Sequence, residues 1–508
     1  MPYSQVEPFE IEGVWWRADA PETERRLPII GEEPEPGLGQ DEPEEAAEDP
    51  ATSEDAKDKP TAYEKDTEEV FPGPWPAYGS LTFDPTTGLR LHTLGPAGNF
   101  FSNEGMYVVH GHALNGKPCS LLDSYVERDN SWTSGHAKRR LYSHVLVDNA
   151  HVLTEDELHF DELRLELQGL FEFFWHQGLG RPDSDDETAS KVVRLPGGEL
   201  TFRMGWDKRE GGHRRLHERR ARLSIKLDEP APYRHWMDHW VLPMRDLLTL
   251  ATREPSRLES FVAILRDDDP PEPWLRVRDE EAWRRREVEF VTPEGNLVRT
   301  DPRFGYGRML FGLTELEDDA DRIFARWWEM YDQLAGARNT LFAALTTRMY
   351  LENQMQSMMS AAEAYHRTFH DKQPLSDERH QELRTAMLGV TADAEERAVY
   401  ESSLKYANSQ RQRKRLSQLW RRAAEVISEL KPLRDTSIER LVMTRNYFTH
   451  LDEPDENVRE GSELLRVINQ LVLVLQANIL LDLGVDRDTA ERLLRRSYHG
   501  NELVVLRG

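Results

Sequence analysis

The chain has a single cysteine, Cys119, among 508 residues. One thiol excludes an intramolecular disulfide and any zinc site built on cysteine. Long apolar stretches are missing as well. No run reaches about 18 residues, so no membrane-spanning helix is expected. The N-terminus, Met1-Pro2-Tyr3-Ser4, has neither the basic region nor the apolar core of a secretory leader. No G-x-x-x-x-G-K-[ST] loop and no G-x-S-x-G elbow occurs, which argues against NTP-driven work and against serine-hydrolase chemistry. These absences describe a cytoplasmic protein with no membrane contact, and no metal or cofactor is expected.

Positive charge is also in short supply. The formal net charge is −27, which at first sight argues against contact with nucleic acid. Its distribution changes that reading. Residues 31–70 hold 16 acidic and 3 basic side chains, a net of −13. This segment is rich in Pro, Glu, Asp and Ala and is expected to be disordered, because it cannot bury enough apolar surface to offset its ordering entropy. It reads as a solvating insert or as an acidic tether over an RNA-binding surface. Elsewhere basic residues cluster. One group is Arg411, Arg413, Lys414 and Arg415, followed by Arg421 and Arg422; a second runs from Arg203 to Arg222. Either can hold phosphates, or simply solvate an element's face.

At this length two or three domains are expected. Residues 71–230 read as β-rich, with Phe9–Trp16 adding a strand. Gly79–Asp84 and Leu89–Leu94 flank the turn Pro85-Thr86-Thr87-Gly88. Met106–Leu114 and Lys117–Val126 flank Asn115-Gly116, the preferred pair for a type I′ hairpin. Tyr142–Val147, Leu163–Gln168 and Glu199–Met204 are further strands, pointing to an antiparallel sandwich or barrel-like domain. Tyr233–Thr252 reads as a helix that Pro243 kinks or divides. Phe261–Leu265, Leu275–Arg278 and Val288–Val291 alternate again. From residue 311 the pattern is helical: 316–350, 351–369, 376–388, 394–405, 411–430, 437–451 and 462–483. Ser376 and Asp393 are candidate N-caps. The expected class is therefore α+β, with a β-rich antiparallel region over 1–310 and an all-α domain over 311–508.

The chemistry concentrates in Arg445-Asn446-Tyr447-Phe448-Thr449-His450, at the end of an apolar-periodic run and before the loop signal 452–455. A histidine moves a proton near neutral pH. An arginine is a permanent cation whose planar fork fits a phosphate. These are the groups that metal-free RNA cleavage needs. Five residues rotate a side chain by about 140° on an ideal helix, so Arg445 and His450 border one groove only if the helix frays at His450. Asn446 is placed to orient phosphate or histidine. Glu363, on an earlier helix, is a candidate partner for Arg445, and Thr449 lies nearer to it in angle. His110 and His112 have metal-ligand spacing but no third ligand in view; His213/His217 and His235/His239 have the i, i+4 spacing of zinc ligands but lack the glutamate of H-E-x-x-H and read as capping or packing residues.

The motif resembles the signature of HEPN ribonucleases. The order of a β-rich front, a helix, more strands and a helical domain resembles the ApeA-type HEPN proteins of bacterial anti-phage defence. The resemblance rests on Gly79–Asp84, Gly88–Leu91, Val109-His110-Gly111 leading into Cys119–Leu122, Ala362–Arg367, Leu404–Asn408 with Arg415-Leu416, and Arg445–His450. It implies an endoribonuclease acting on host or phage RNA, with tRNA a candidate substrate, gated by a phage-derived trigger, with the β-rich region as sensor. It also implies that the helical domain forms a homodimer or larger assembly. Two readings stand beside it: a non-catalytic HEPN scaffold for dimerisation or RNA binding, and a toxin of a toxin–antitoxin pair.

Overall fold

The computed structural model describes residues 8–18, 77–96 except 86, 106–127, 132–133, 136–175, 189–211, 214–266, 285–292 and 309–497 except 348, 406, 432, 451–455 and 457. The acidic segment 31–70, the expected strand 275–278 and the loop signal 452–455 lie outside them. Among the described residues fourteen strands form one antiparallel sheet. They are β1 (Phe9–Arg17), β2 (Ala77–Asp84), β3 (Gly88–Pro96), β4 (Tyr107–Ala113), β5 (Pro118–Glu127), β6 (Trp132–Thr133), β7 (His136–Ser143), β8 (Val145–Asp148), β9 (His159–Leu167), β10 (Ala189–Leu195), β11 (Gly198–Gly211), β12 (Arg214–Pro232), β13 (Leu258–Arg266) and β14 (Arg285–Val291). Strand order runs β10-β11-β12-β9-β13-β14-β8-β5-β4-β1-β2-β3-β7-β6.

A further pairing of β5 with β7, Tyr125 opposite Tyr142, closes β5-β4-β1-β2-β3-β7 into a six-stranded barrel. Closure removes exposed edges. Trp15, Leu81, Leu91, Val109, Leu121 and Leu141 fill its interior. Gly111 makes room for Trp15: a Cβ there would lie 2.3 Å from the indole Cε3. The Asn115-Gly116 hairpin forms, but not as the type I′ turn expected. Only Gly116 has positive φ, at 81°. The bonds Gly116 N to Ala113 O and Ala113 N to Lys117 O, 2.8 and 3.0 Å, make a type I turn with a glycine bulge. The strand expected over Tyr142–Val147 is broken at His144. β7 stays in the barrel, while β8 pairs with the barrel strand β5 on one side and with β14 on the other.

The other half of the sheet is open and needs cover. Helix α1 (Leu170–Trp175) and the segment α2 (Tyr233–Trp236), a π turn (Met237–Val241) and α3 (Leu242–Thr252) supply part of it. The expected helix over Tyr233–Thr252 therefore exists, and Pro243 sits just after the π turn. Proline has no N–H, so the carbonyl four residues back loses its helical partner. That carbonyl, His239 O, accepts instead from Trp328 Nε1 at 2.8 Å. Trp327 Nε1 donates to Pro243 O at 2.8 Å, and Tyr331 Oη donates to Asp246 Oδ2 at 2.8 Å. All three donors lie on α4 (Ala320–Gln333). Burial pushes the Asp246 carboxyl up.

The helical region continues with α5 (Ala335–Thr346), α6 (Leu351–Phe369), α7 (Asp377–Gly389), α8 (Ala394–Leu404), α9 (Gln412–Ala423), α10 (Arg434–His450), α11 (Gly461–Asp482) and α12 (Arg487–Ser497). The single helix expected over 316–350 is a 3-10 turn followed by α4 and α5. It ends where Thr346 Oγ1 bonds back to Phe342 O and Thr347 turns extended. The helix expected over 411–430 stops at Ala423, and α12 was not foreseen. Ser376 and Asp393 cap α7 and α8 through Arg379 N and through Glu395 N and Glu396 N. α11 is long and apolar enough to cross a membrane by composition, yet 78% of that window is buried inside the protein. It is the central helix of the bundle, packed by α6, α9 and α10.

Trp327 is 1% exposed. Trp327→Phe keeps most of the ring and removes the donor to Pro243 O. It should cost about 1–3 kcal/mol, read as a lower thermal midpoint, whereas Tyr350→Phe, at a residue 80% exposed, should leave the midpoint in place.

Candidate active site

α10 presents Ser437, Ile438, Leu441 and Thr444 to the bundle core, the spacing of one helix face. Ser437 Oγ donates to Gln470 Oε1 at 2.8 Å on α11, and Thr444 Oγ1 accepts from Arg459 N at 3.1 Å. The last carbonyls of a helix lack intrahelical partners. One of them, Phe448 O, accepts from Gln356 Nε2 of α6 at 3.2 Å. The end of α10 is thereby anchored to α6, with Phe448 against the core.

The remaining motif residues face outward. Arg445 and Asn446 are half-buried; Thr449 and His450 are exposed. The chain stays helical through His450, so no fraying brings the imidazole around to Arg445, and the two remain about 140° apart. Asn446 is bonded to Arg445 and lies about one turn before His450. Arg445 Nη1 donates to Asn446 Oδ1 at 3.3 Å, and Asn446 is four residues before His450, the spacing of helix neighbours. Thr449 Oγ1 is bound to Arg445 O at 2.8 Å. Its hydroxyl serves the backbone and not the arginine side chain.

Two expectations need correction. Glu363 does not pair with Arg445; its carboxylate accepts from Gln412 Nε2 at the start of α9. Arg415 is not part of an open basic face. It is 4% exposed and paired with Asp371, Nη2 to Oδ2 3.4 Å. Arg411, Arg413 and Lys414 are exposed. Arg413 stands near the first turn of α10: the hydrogen bond and charge of Arg434, with a smaller contribution from the charge of Arg413, hold the Asp435 carboxyl below its ordinary range. In the second basic run, Arg203 lies opposite Arg222 across the β11–β12 hairpin. Arg220 and Arg222 both bind Glu166, at 3.1 and 2.8 Å.

A second constellation escaped the sequence. At the C-terminal ends of α6, α9 and α11, Asp482 accepts from Arg422 Nη2 at 2.6 Å, from His370 Nε2 at 3.0 Å and from Tyr365 Oη. Arg422 Nη1 also lies 3.1 Å from His370 Nε2. An ionised carboxylate only accepts, so that nitrogen donates to Asp482 and the arginine contact is proximity alone. Burial pushes the Asp482 carboxyl up, but the bonds from His370, Arg422 and Tyr365 outweigh it and hold the pKa at about 2. Only His366 and His370, four apart on α6, hinted at the cluster. Gln356 and His370 are fourteen residues apart, so it lies about 20 Å along α6 from the anchor of α10.

The family comparison agrees with this architecture. The model for ApeA N-terminal domain 1 matches residues 72–327, and the model for the Apea-like HEPN domain matches residues 357–489. The chain belongs to the ApeA-type HEPN family of anti-phage defence proteins. No curated protein and no solved structure matches it.

Asp482 gives a test of the bundle. Its folded pKa lies below the unfolded value near ~3.9, so its contribution is complete above that pH and is lost as pH falls toward about 2. Asp482→Asn should lower stability at neutral pH by about 1–3 kcal/mol. Denaturant titrations across that acid range should show a shallower loss for the variant than for the natural chain.

Proposed function

We propose that the protein is a metal-independent endoribonuclease effector of anti-phage defence, with Arg445, Asn446 and His450 as its reactive group. The observation that carries this reading is the Arg445–Asn446 hydrogen bond beside an exposed His450. It sets a phosphate-matching cation, an amide and an imidazole at one open helix end.

The ribose 2′-oxygen attacks the adjacent phosphorus and the P–O5′ bond breaks. A base removes the 2′ proton, an acid supplies one to the leaving O5′, and a cation stabilises the phosphorane. The products are a 2′,3′-cyclic phosphate and a 5′-OH end. His450 moves a proton and Arg445 balances the charge. One imidazole per chain is short of two proton transfers. A homodimer joined through the helical domain supplies two, one as base and one as acid. Arg411, Arg413 and Lys414 offer phosphate contacts along the substrate. The front domain is the sensing or regulatory part, and the assembly works in the cytoplasm on host or phage RNA.

One observation favours the scaffold reading. Among the described residues, no side chain fixes the His450 ring, whereas a catalytic base is ordinarily oriented by a third group. In the dimer reading that group comes from the partner.

Purified protein should cleave total RNA or tRNA in EDTA and leave cyclic-phosphate and 5′-OH ends. His450→Ala and Arg445→Ala should each lower the rate by about a hundredfold or more. Equal cleavage by His450→Ala would remove the histidine from the chemistry and leave the scaffold reading standing.

A further inference from the structure

A pocket of about 730 Å³ opens where the sheet meets α4. Its walls come from the end of β12, from the π turn and from α4, so an occupant would touch all three. No lysine or arginine lines it, whereas Asp228, Glu229 and Asp332 do. These three carboxylates are exposed, and among the described residues none has an ion-pair partner. Nucleic acid is repelled there, and a cation is favoured.

Charge is not the only feature. Trp240 and Trp328 meet at 5.9 Å between ring centroids and 49° between planes, an aromatic wall of the kind that holds guanidinium or ammonium groups. Trp328 spends its N–H on His239 O. Trp240 is only 5% exposed, and its indole N–H has no acceptor among the described residues. The N–H is not sealed from solvent, so an acceptor on a bound group can reach it. The π turn that carries His239 and Trp240 is an uncommon backbone form found mostly at functional sites.

We propose that this pocket binds a peptide segment through a basic side chain. The guanidinium or ammonium lies among Asp228, Glu229 and Asp332 and against the tryptophan rings. The Trp240 N–H takes a carbonyl of the same peptide. The segment's source is a second protein, recognised by the side of the molecule that joins sheet and helices.

Calorimetry on the full chain, without RNA, tests this apart from any ribonuclease activity. The probes are acetyl-Gly-Arg-Gly-amide, the same peptide with neutral citrulline for arginine, and spermidine as a free cation. The arginine peptide should bind, with the citrulline peptide about tenfold weaker or worse. The combined variant Asp228→Asn, Glu229→Gln, Asp332→Asn, all at exposed positions, should lose the same factor while keeping the natural thermal midpoint. Trp240→Phe should weaken the peptide more than spermidine, which has no carbonyl for the N–H to meet. Absence of binding, equal binding of the two peptides, or undiminished binding by the triple variant would overturn the proposal. Spermidine binding as tightly as the arginine peptide would overturn its peptide half.

Discussion

The joint between sheet and helices rests on three side-chain bonds donated by one helix. Pro243 cannot donate to His239 O, which leaves that carbonyl, on an exposed residue, open to a side-chain donor. Trp328 supplies it, Trp327 takes the carbonyl of Pro243 itself, and Tyr331 reaches Asp246 one turn further on. Burial and the neighbouring carboxylate push the Tyr331 hydroxyl up, so it remains a donor. α4 is thus fastened along the helix that covers the sheet. The same joint sets the aromatic packing below it, where Phe173 and Phe202 of the sheet side meet Phe324 of α4 at 6.4 and 5.9 Å.

This fastening explains why the apolar interior is divided as it is. The barrel keeps a core of its own around Trp15 and Leu121. The open half of the sheet shares one continuous core with the helices, from Phe160 and Leu163 through Trp327 to Leu471. A closed barrel buries its inner face by itself, but an open sheet exposes a face that must be covered. The match to the N-terminal family domain runs to residue 327, inside α4. That agrees with packing that places α4 against β10 and α3.

Short-range signals were legible in the sequence, and long-range ones were not. Strand alternation in Leu89–Leu94, the caps at Ser376 and Asp393, and the helical run ending at His450 are all set within a few residues, and all appear. Asn115-Gly116 announced a hairpin, but not which turn closes it, because that depends on whether Asn115 must adopt positive φ. The helix over 316–350 was read as one element because apolar spacing continues across the break at Leu334. Arg415 looked like part of a basic face because its partner, Asp371, lies 44 residues earlier. Glu363 is a candidate partner for Arg445 in the sequence beside its reading as an ordinary surface or capping residue, and nothing local signals that Gln412 stands closer. The Asp482 cluster draws on three helices, and no local pattern encodes such a meeting.

The geometry of α10 bears most directly on mechanism. Because the helix remains regular to His450, the cation and the imidazole cannot converge by local unwinding, and the 140° between them persists. A site within one chain would then have a phosphate on the Arg445 side and a proton acceptor on the other flank. Asn446 accepts from the guanidinium, but it adds no second acid or base. Two helix ends set against each other would face two imidazoles across one phosphate, with an arginine behind each. That arrangement asks each chain for a rigid helix end, and the anchor from Gln356 to Phe448 O supplies it. Disorder there would cost entropy on any such assembly, and the tie to α6 would lower that cost for the proposed site.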